Sequence, residues 1–477
     1  MTVAELLAAA VAKWGARDFL VDEAGDAWTF AETQERARRA AAGLQARGVA
    51  VGDRVGLMAG NSREFVATWL GAALAGAAVV PLSTVSAPPE IAARTQLASI
   101  RLIVDDALAV ALAQHDATAQ LAPVANDAIA QILFTSGTTG VAKAAAVTHA
   151  SLVEHTRNVA RTVDLGPDDV ILGALPLTHS FGCRMAMLLA LATGARLVVM
   201  RRFDAARALA LADAAGVTFW PAVPTMLAAV CAPEQSDGPR PRALRWVLSA
   251  GAPLADALCR RAEARLGCEV RQGYGLTEAS FSTIDAPPAP RTIGSVGRPV
   301  AGVEVRLGAE GEVEVRGPHR MLGYLDDPAA TAAVVDGDGW LRTGDVGRLD
   351  GEGRLFIVDR TKDLIIRGGN NVYPSEVEAA LAAHPAVADV AVVGRPDDYF
   401  GEEVVAVVAL RSGDAVEPAA RADELAAFAR DRIAATKVPR EFAFVAALPL
   451  GPSGKVQKRA LRARLADGTL PTTKPSR

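Results

Sequence analysis

Cysteine is scarce. The 477-residue chain has four, Cys183, Cys231, Cys259 and Cys268, and no two form a CxxC pair. That usage fits buried, reduced thiols in a cytoplasmic protein. A basic excess is also missing: the formal net charge is −4, so no nucleic-acid partner is expected. The N-terminus has no basic n-region and carries Glu5 early, so no secretory signal is expected. Phe65 to Leu82 is an uncharged run that approaches membrane-spanning length. It is mostly Ala and Gly and ends in Val79-Val80-Pro81. That reads as a packed helix followed by a buried strand, not an integral membrane span. No internal repeat is visible.

Apolar residues are plentiful, at 51% against 22% charged, enough for a sizeable core. The length suits one large α/β domain plus a small one. Residues 31–47 have the pattern of an amphipathic helix stopped by Gly48, and Ser62 opens another helix. Short apolar strands are expected at 54–58, 128–134, 170–175, 197–200, 217–220 and 245–248. Their alternation with helical stretches suggests parallel sheets with helices on their faces. After about residue 290, strands at 303–307, 312–316 and 354–358 with Gly-rich turns suggest a smaller β-rich subdomain. A compact α+β segment follows, with helices near 375–383 and 422–434 and strands near 387–393 and 404–410. The expected division is a large domain over 1–359 and a small one over 360–477. Residues after about 466 form a polar tail, expected to fray.

Five segments carry candidate chemistry. In Ile132–Lys143 an apolar strand runs into Thr135, Ser136, Gly137, Thr138, Thr139 and Gly140, then Lys143. Small residues admit backbone N–H groups close to an anion, hydroxyls add donors and lysine adds charge, as a phosphate-cradling loop requires. The GxxxxGK[ST] spacing of a Walker loop is absent. Gln272, Gly273, Tyr274, Gly275, Leu276, Thr277 and Glu278 offer an aromatic face between glycines, a hydroxyl, and a carboxylate able to hold Mg²⁺ through oxygen. Thr343-Gly344-Asp345 places a carboxylate on a tight turn, suited to a vicinal diol. Asp359-Arg360-Thr361-Lys362-Asp363 and Arg367-Gly368-Gly369 put charge and a glycine pair at the domain joint, and Pro452-Ser453-Gly454-Lys455 presents a lysine on a turn. Taken singly, each could be an ordinary turn or a solvated lysine.

In this order and spacing the segments resemble the adenylate-forming superfamily of acyl- and aryl-CoA synthetases, luciferases and peptide-synthetase adenylation domains, and the acyl-CoA synthetases most. The resemblance runs from about Trp28 to Leu465. It implies ATP-dependent activation of a small-molecule carboxylic acid as acyl-AMP, with release of pyrophosphate, then transfer to the thiol of CoA. ATP and Mg²⁺ are implied, with CoA as co-substrate. It also assigns roles. Thr135 to Lys143 would be the phosphate loop. Gly251, Ala252, Gln272 and Tyr274 would lie about the adenine, Thr277 at the α-phosphate and Glu278 on Mg²⁺. Asp345 would hold the ribose with Arg360 nearby, Lys362 would be the hinge, and Gly368 and Gly369 would border the pantetheine tunnel. Lys455 would bridge carboxylate and phosphate oxygens, and His179 would border the acyl pocket. Ala142 replaces a usual proline, and the stretch between Pro81 and the loop is short for the family.

For the acyl pocket the resemblance points to Trp220, Thr225 and Met226, with core packing an equal account of Trp220, and Phe181 and Arg184 in the stretch after His179 are further candidates. No aspartate occurs between Leu175 and Ala192, which argues against an α-amino acid. Gly273 stands where malonate-activating relatives carry arginine, which argues against malonate. Arg184 lies in an otherwise apolar stretch. It is open to two readings, a structural ion pair or rim position, and a partner for a polar group at the far end of the acid. A fatty and an aromatic acid are not separated. The alternatives are delivery to a carrier-protein pantetheine or an amine, and a non-catalytic nucleotide-binding relative.

Overall fold

The structure is a computed structural model that describes residues 1–116, 121–135, 143–236, 238–360, 363–368, 370–411, 417–450 and 456–475. The chain divides into two compact units. The first comprises 1–306, 314–343 and 350–355, the second 307–313, 344–349 and 356–477.

The first unit is built on two mixed sheets. One has nine strands, in the order Arg298–Pro299, Ser280–Ile284, Glu269–Leu276, Trp246–Ser249, Phe219–Ala222, Val170–Gly173, Arg196–Val199, Asp18–Val21, Ala27–Thr29. The other has six, in the order Gly323–Tyr324, Lys143–Thr148, Ile129–Thr135, Ala78–Pro81, Arg54–Leu57, Leu102–Val104. Their interiors are parallel, as the alternating pattern suggests. Their margins are antiparallel, a feature the alternating pattern does not reveal. The reason is local. Glu269–Leu276 and Ser280–Ile284 are joined by so few residues that only an antiparallel return is possible, because a parallel crossover needs a dozen or more.

The uncharged run is the helix Arg63–Leu74, N-capped by Ser62, followed by the fully buried strand Ala78–Pro81. Trp69 is wholly enclosed. A side chain at Gly71 would lie 2.7 Å from Ala37 O and from Ala40 Cβ of the helix Phe30–Ala46, so these helices pack backbone to backbone. Among the described residues no helix is long and apolar enough to cross a membrane. Cys183 and Cys259 are buried, Cys231 and Cys268 half-buried, and all four are free.

A four-stranded sheet, Glu304–Leu307, Glu312–Arg316, Leu341–Leu349 and Leu355–Arg360, accounts for the β-rich texture after residue 290. The second unit carries a further sheet in which Gly401–Leu410 pairs antiparallel with Val387–Asp397 and parallel with Glu441–Val445. The second of its helices begins earlier than its sequence pattern indicates, at Pro418, and ends at Arg430. Proline suits the first helical turn, where its missing N–H costs nothing. The tail does not fray as expected. Leu470 is buried, Phe442 and Thr473 exchange backbone hydrogen bonds of 2.9 and 2.7 Å, and Thr472 Oγ1 donates to Glu441 Oε2 at 2.7 Å. One buried apolar residue and these hydrogen bonds anchor the polar segment.

His149 makes stability depend on pH. It is wholly buried, and its Nδ1 accepts from the Val3 N–H at 3.3 Å, which requires an unprotonated nitrogen. Burial lowers its pKa from 6.5 to about 4. The folded state therefore resists a proton that the unfolded state takes up, so stability falls as pH drops from 6.5 towards 4. The loss attributable to His149 is about 3 kcal/mol. Unfolding free energies measured across this window should slope less steeply in His149→Gln; equal slopes would show that the group does not contribute.

Candidate active site

Four parallel neighbours of the nine-stranded sheet, Val170–Gly173, Phe219–Ala222, Trp246–Ser249 and Glu269–Leu276, end on one side. Their carboxyl ends lead to His179 and Phe181, to Thr225, to Gly251 and Ala252, and to Thr277 and Glu278. Residues from far apart in sequence are thereby gathered where open α/β sheets bind ligands. His179 and Thr225 are exposed and Phe181 is buried. The Phe181 ring lies 5.1 Å from that of Phe281. Gly251 has φ +86, and a side chain there would meet Val223 Cγ1 at 3.6 Å and Phe181 Cδ1 at 4.0 Å.

Glu269–Leu276 runs as one strand through the Gly-Tyr-Gly segment, with an irregularity between Tyr274 and Gly275. Gln272 pairs with Ser249 on one side, and its carbonyl accepts from Asp285 N at 2.8 Å. Tyr274 is buried. The flanking glycines have a packing cause: a Cβ at Gly273 would lie 2.7 Å from Phe281 Cε1, and one at Gly275 only 1.9 Å from Ser280 O. What they visibly admit is the neighbouring strand.

Glu278 is tied to a residue that the sequence reading missed. The Tyr324 hydroxyl donates to Glu278 Oε1 at 2.9 Å, and Met321 N–H donates to Glu278 O at 2.6 Å. Burial and the adjacent carboxylate push the Tyr324 phenol above its ordinary range, so it remains a donor. Lys143 Nζ stands 4.8 Å from the centre of the Tyr324 ring, and Lys143 pairs with Thr135 across the hairpin. Thr135, Lys143, Tyr324 and Glu278 thus form one group, a cation and a carboxylate with an aromatic ring between. Ser136, Gly137, Thr138, Thr139, Gly140 and Ala142 lie outside the described residues.

Trp220 is fully enclosed within the core and Met226 is buried. Arg184 is 3% exposed, on a stretch of π-helix, Cys183–Leu188. It is neither at a rim nor in an ion pair among the described residues.

In the second unit, Asp345 is buried. Gly344 before it has φ +72, and its N–H donates to Glu312 Oε1 at 2.9 Å, which fixes the turn. Asp359 Oδ2 accepts from Ser375 N at 2.8 Å. Arg360 ends the strand Leu355–Arg360, and its side chain lies outside the described residues. Gly368 has φ +55, and a Cβ there would stand 3.1 Å from Phe400 Cδ1. Backbone conformation alone therefore favours glycine at this position. Lys362, Gly369 and Lys455 lie outside the described residues.

Comparison with known proteins gives this geometry a family. Residues 7–325 match the AMP-binding enzyme family and residues 376–455 the AMP-binding enzyme C-terminal domain. The 3-[(3aS,4S,7aS)-7a-methyl-1,5-dioxo-octahydro-1H-inden-4-yl]propanoyl:CoA ligase of Rhodococcus jostii (strain RHA1) is 36% identical, over 91% of this chain and 93% of its own. The 4-coumarate–CoA ligase 3 of Oryza sativa subsp. japonica is 33% identical, over 98% and 93%. The crystal structure of ATP-bound MatB from Rhodopseudomonas palustris superposes with a TM-score of 0.89 at 30% identity, covering 98% of this chain and 99% of that one. The chain belongs to the AMP-binding enzymes, the adenylate-forming family. Within it, the protein is an acid–thiol ligase.

Proposed function

We propose that the protein is an ATP-dependent acyl- or aryl-CoA ligase. A carboxylate oxygen attacks the α-phosphorus of ATP, pyrophosphate leaves, and the acyl-AMP formed is then attacked at its carbonyl carbon by the thiol of CoA, releasing AMP. The observation that carries this reading is the Thr135–Lys143–Tyr324–Glu278 group beside the strand ends, within a chain whose relatives are CoA ligases over almost their full length.

The first step brings anion to anion, so the protein must supply positive charge and fixed donors. Thr135 to Lys143 would cradle the outer phosphates, and Thr277 would meet the α-phosphate. Gly251, Ala252, Gln272, Gly273, Tyr274 and Gly275 would enclose the adenine. Asp345, on its fixed turn, would accept from the ribose hydroxyls, with Arg360 beside it. Lys455 would lie between carboxylate and phosphate oxygens.

Among the described residues no group of three acidic, histidine or cysteine side chains could hold a metal alone. A single carboxylate, Glu278, fits Mg²⁺, which commonly takes one protein carboxylate and completes its shell with substrate phosphates and water. When bound there, Mg²⁺ supplies charge neutralisation at the phosphates. Tyr324→Phe removes the donor that orients this carboxylate. It should lower kcat/KM for ATP about tenfold, with the fall concentrated in KM; an unchanged value would remove Tyr324 from the site.

The reading divides the working enzyme at 359–362. The small domain would turn about Lys362 between half-reactions, withdrawing Lys455 and presenting Gly368 and Gly369 to pantetheine. His179, Phe181, Trp220, Thr225 and Arg184 would border the acyl group. A cytoplasmic location belongs to the same reading, consistent with four free cysteines. CoA is favoured over a carrier protein as acceptor because the named relatives are CoA ligases. Thioester formation measured with each acceptor tests this choice, and faster loading of a carrier protein would reverse it.

A further inference from the structure

Arg184 lies in the interior with no counter-charge among the described residues. Among the described residues its Nε, Nη1 and Nη2 have no hydrogen-bond partner, and it enters no ion pair. Its neighbours offer none. Its charge bears on His155 and His319, whose rings lie 5.5 Å apart. Both His155 nitrogens and His319 Nδ1 are also buried without partners, while His319 Nε2 is 3.1 Å from Ser282 Oγ. Burial keeps both imidazoles neutral, His319 with its pKa down to about 3. Burial also draws the Arg184 pKa down to about 10, which leaves the guanidinium protonated at neutral pH. The cluster therefore holds one cation, two neutral rings and, among the described residues, no carboxylate.

A guanidinium has five N–H donors and no acceptor. Buried charge is ordinarily paired, so the group that this cluster lacks is an oxyanion. Its place in the fold says where one would come from, because elements that frame it also carry the ligase site. Gln131 Nε2 lies 3.6 Å from Cys183 Sγ, on the strand that ends at Thr135. Phe181 precedes Arg184 on the same turn. Ser282 follows Phe281, which packs against Phe181. His319 is two residues before Met321, which binds the Glu278 carbonyl. Gln131 and Thr135 are four residues apart on one strand, about 13 Å. Gln131, and with it Cys183 beside Arg184, is thus set well back along the strand from the phosphate end.

We infer that Arg184, flanked by His155 and His319, is a subsite for a second oxyanion at the far end of the acid, so that the preferred substrates carry a distal carboxylate or sulfonate. The inference rests on the carboxylate-activating reading of the same site.

The test uses the full-length enzyme with a matched series of straight-chain monocarboxylic acids and α,ω-dicarboxylic acids of increasing length, following pyrophosphate release. At a matching length the dicarboxylate should be favoured in kcat/KM by about 100-fold, and Arg184→Met should bring that ratio close to one. Arg184→Lys, which keeps the charge without the fork, should retain part of the preference and covers the case in which the methionine variant does not fold. The dicarboxylate should also raise the thermal midpoint of the parent and not that of Arg184→Met. No preference in the parent, or an equal loss on both acids, overturns the inference. So does protection by sulfate or chloride alone with a ratio of one, which would mark an inorganic-anion site. If no acid releases pyrophosphate while the dicarboxylate still protects the parent selectively, the ligase reading fails and the subsite stands.

Discussion

Lys455→Ala is expected to lower acyl-AMP formation by about 1000-fold and to leave thioester formation from pre-made acyl-AMP within a small factor of the parent. The split follows from the charges. In the first half-reaction two anions approach each other, and a cation placed between their oxygens acts only as that barrier is climbed. In the second, a thiol attacks a neutral acyl carbon and AMP leaves, so the same ammonium has no comparable task. A residue used in one half-reaction changes one rate and spares the other. Single-turnover measurement of each half-reaction checks this. Equal losses in both steps would assign Lys455 to general structure, and loss in neither would remove it from the chemistry.

Glu278→Gln should lower kcat/KM for ATP by about 100-fold. The substitution keeps an oxygen that can accept from the Tyr324 hydroxyl, now 2.9 Å from Oε1, and removes the charge. The loss is then electrostatic, and raising the Mg²⁺ concentration should recover part of it. Thiolysis of pre-made acyl-AMP, which needs no pyrophosphate to leave, should change far less. A fall of the same size at every Mg²⁺ concentration would mean that Glu278 serves something other than a cation.

The residues that a sequence reading singles out most readily are those whose type is scarce in the chain. The chain has seven lysines, and Lys143, Lys362 and Lys455 stand inside the motifs, where a compact point charge on a flexible stem is useful. Tyrosines number four, and Tyr274 and Tyr324 both follow a glycine near the strand ends. Tyr324 was therefore detectable in Gly323-Tyr324, although its partner Glu278 lies 46 residues away. What stayed hidden depends on contacts that no local pattern encodes. A linear motif does not show that Gly273 and Gly275 also answer to packing, Gly273 against the Phe281 ring and Gly275 against the Ser280 carbonyl. The Arg184 neighbourhood draws on helix His149–Val163, the π-helical stretch and the residues before Met321. Its defining property, a charge without a partner among the described residues, exists only once those elements are packed. The antiparallel sheet margins were overlooked because apolar runs do not state strand direction, whereas the short connection between Leu276 and Ser280 does.

The central claim, that an acid's own oxygen attacks the α-phosphorus of ATP, can be followed by labelling that oxygen. With the acid carrying ¹⁸O in its carboxylate, and ATP and CoA supplied, one labelled oxygen should appear in the phosphate of AMP after a single turnover. The carboxyl oxygen that joins carbon to phosphorus in acyl-AMP stays with phosphorus when the thiol displaces it. Label in inorganic phosphate with ADP as the nucleotide product, or AMP released without label, would contradict the account.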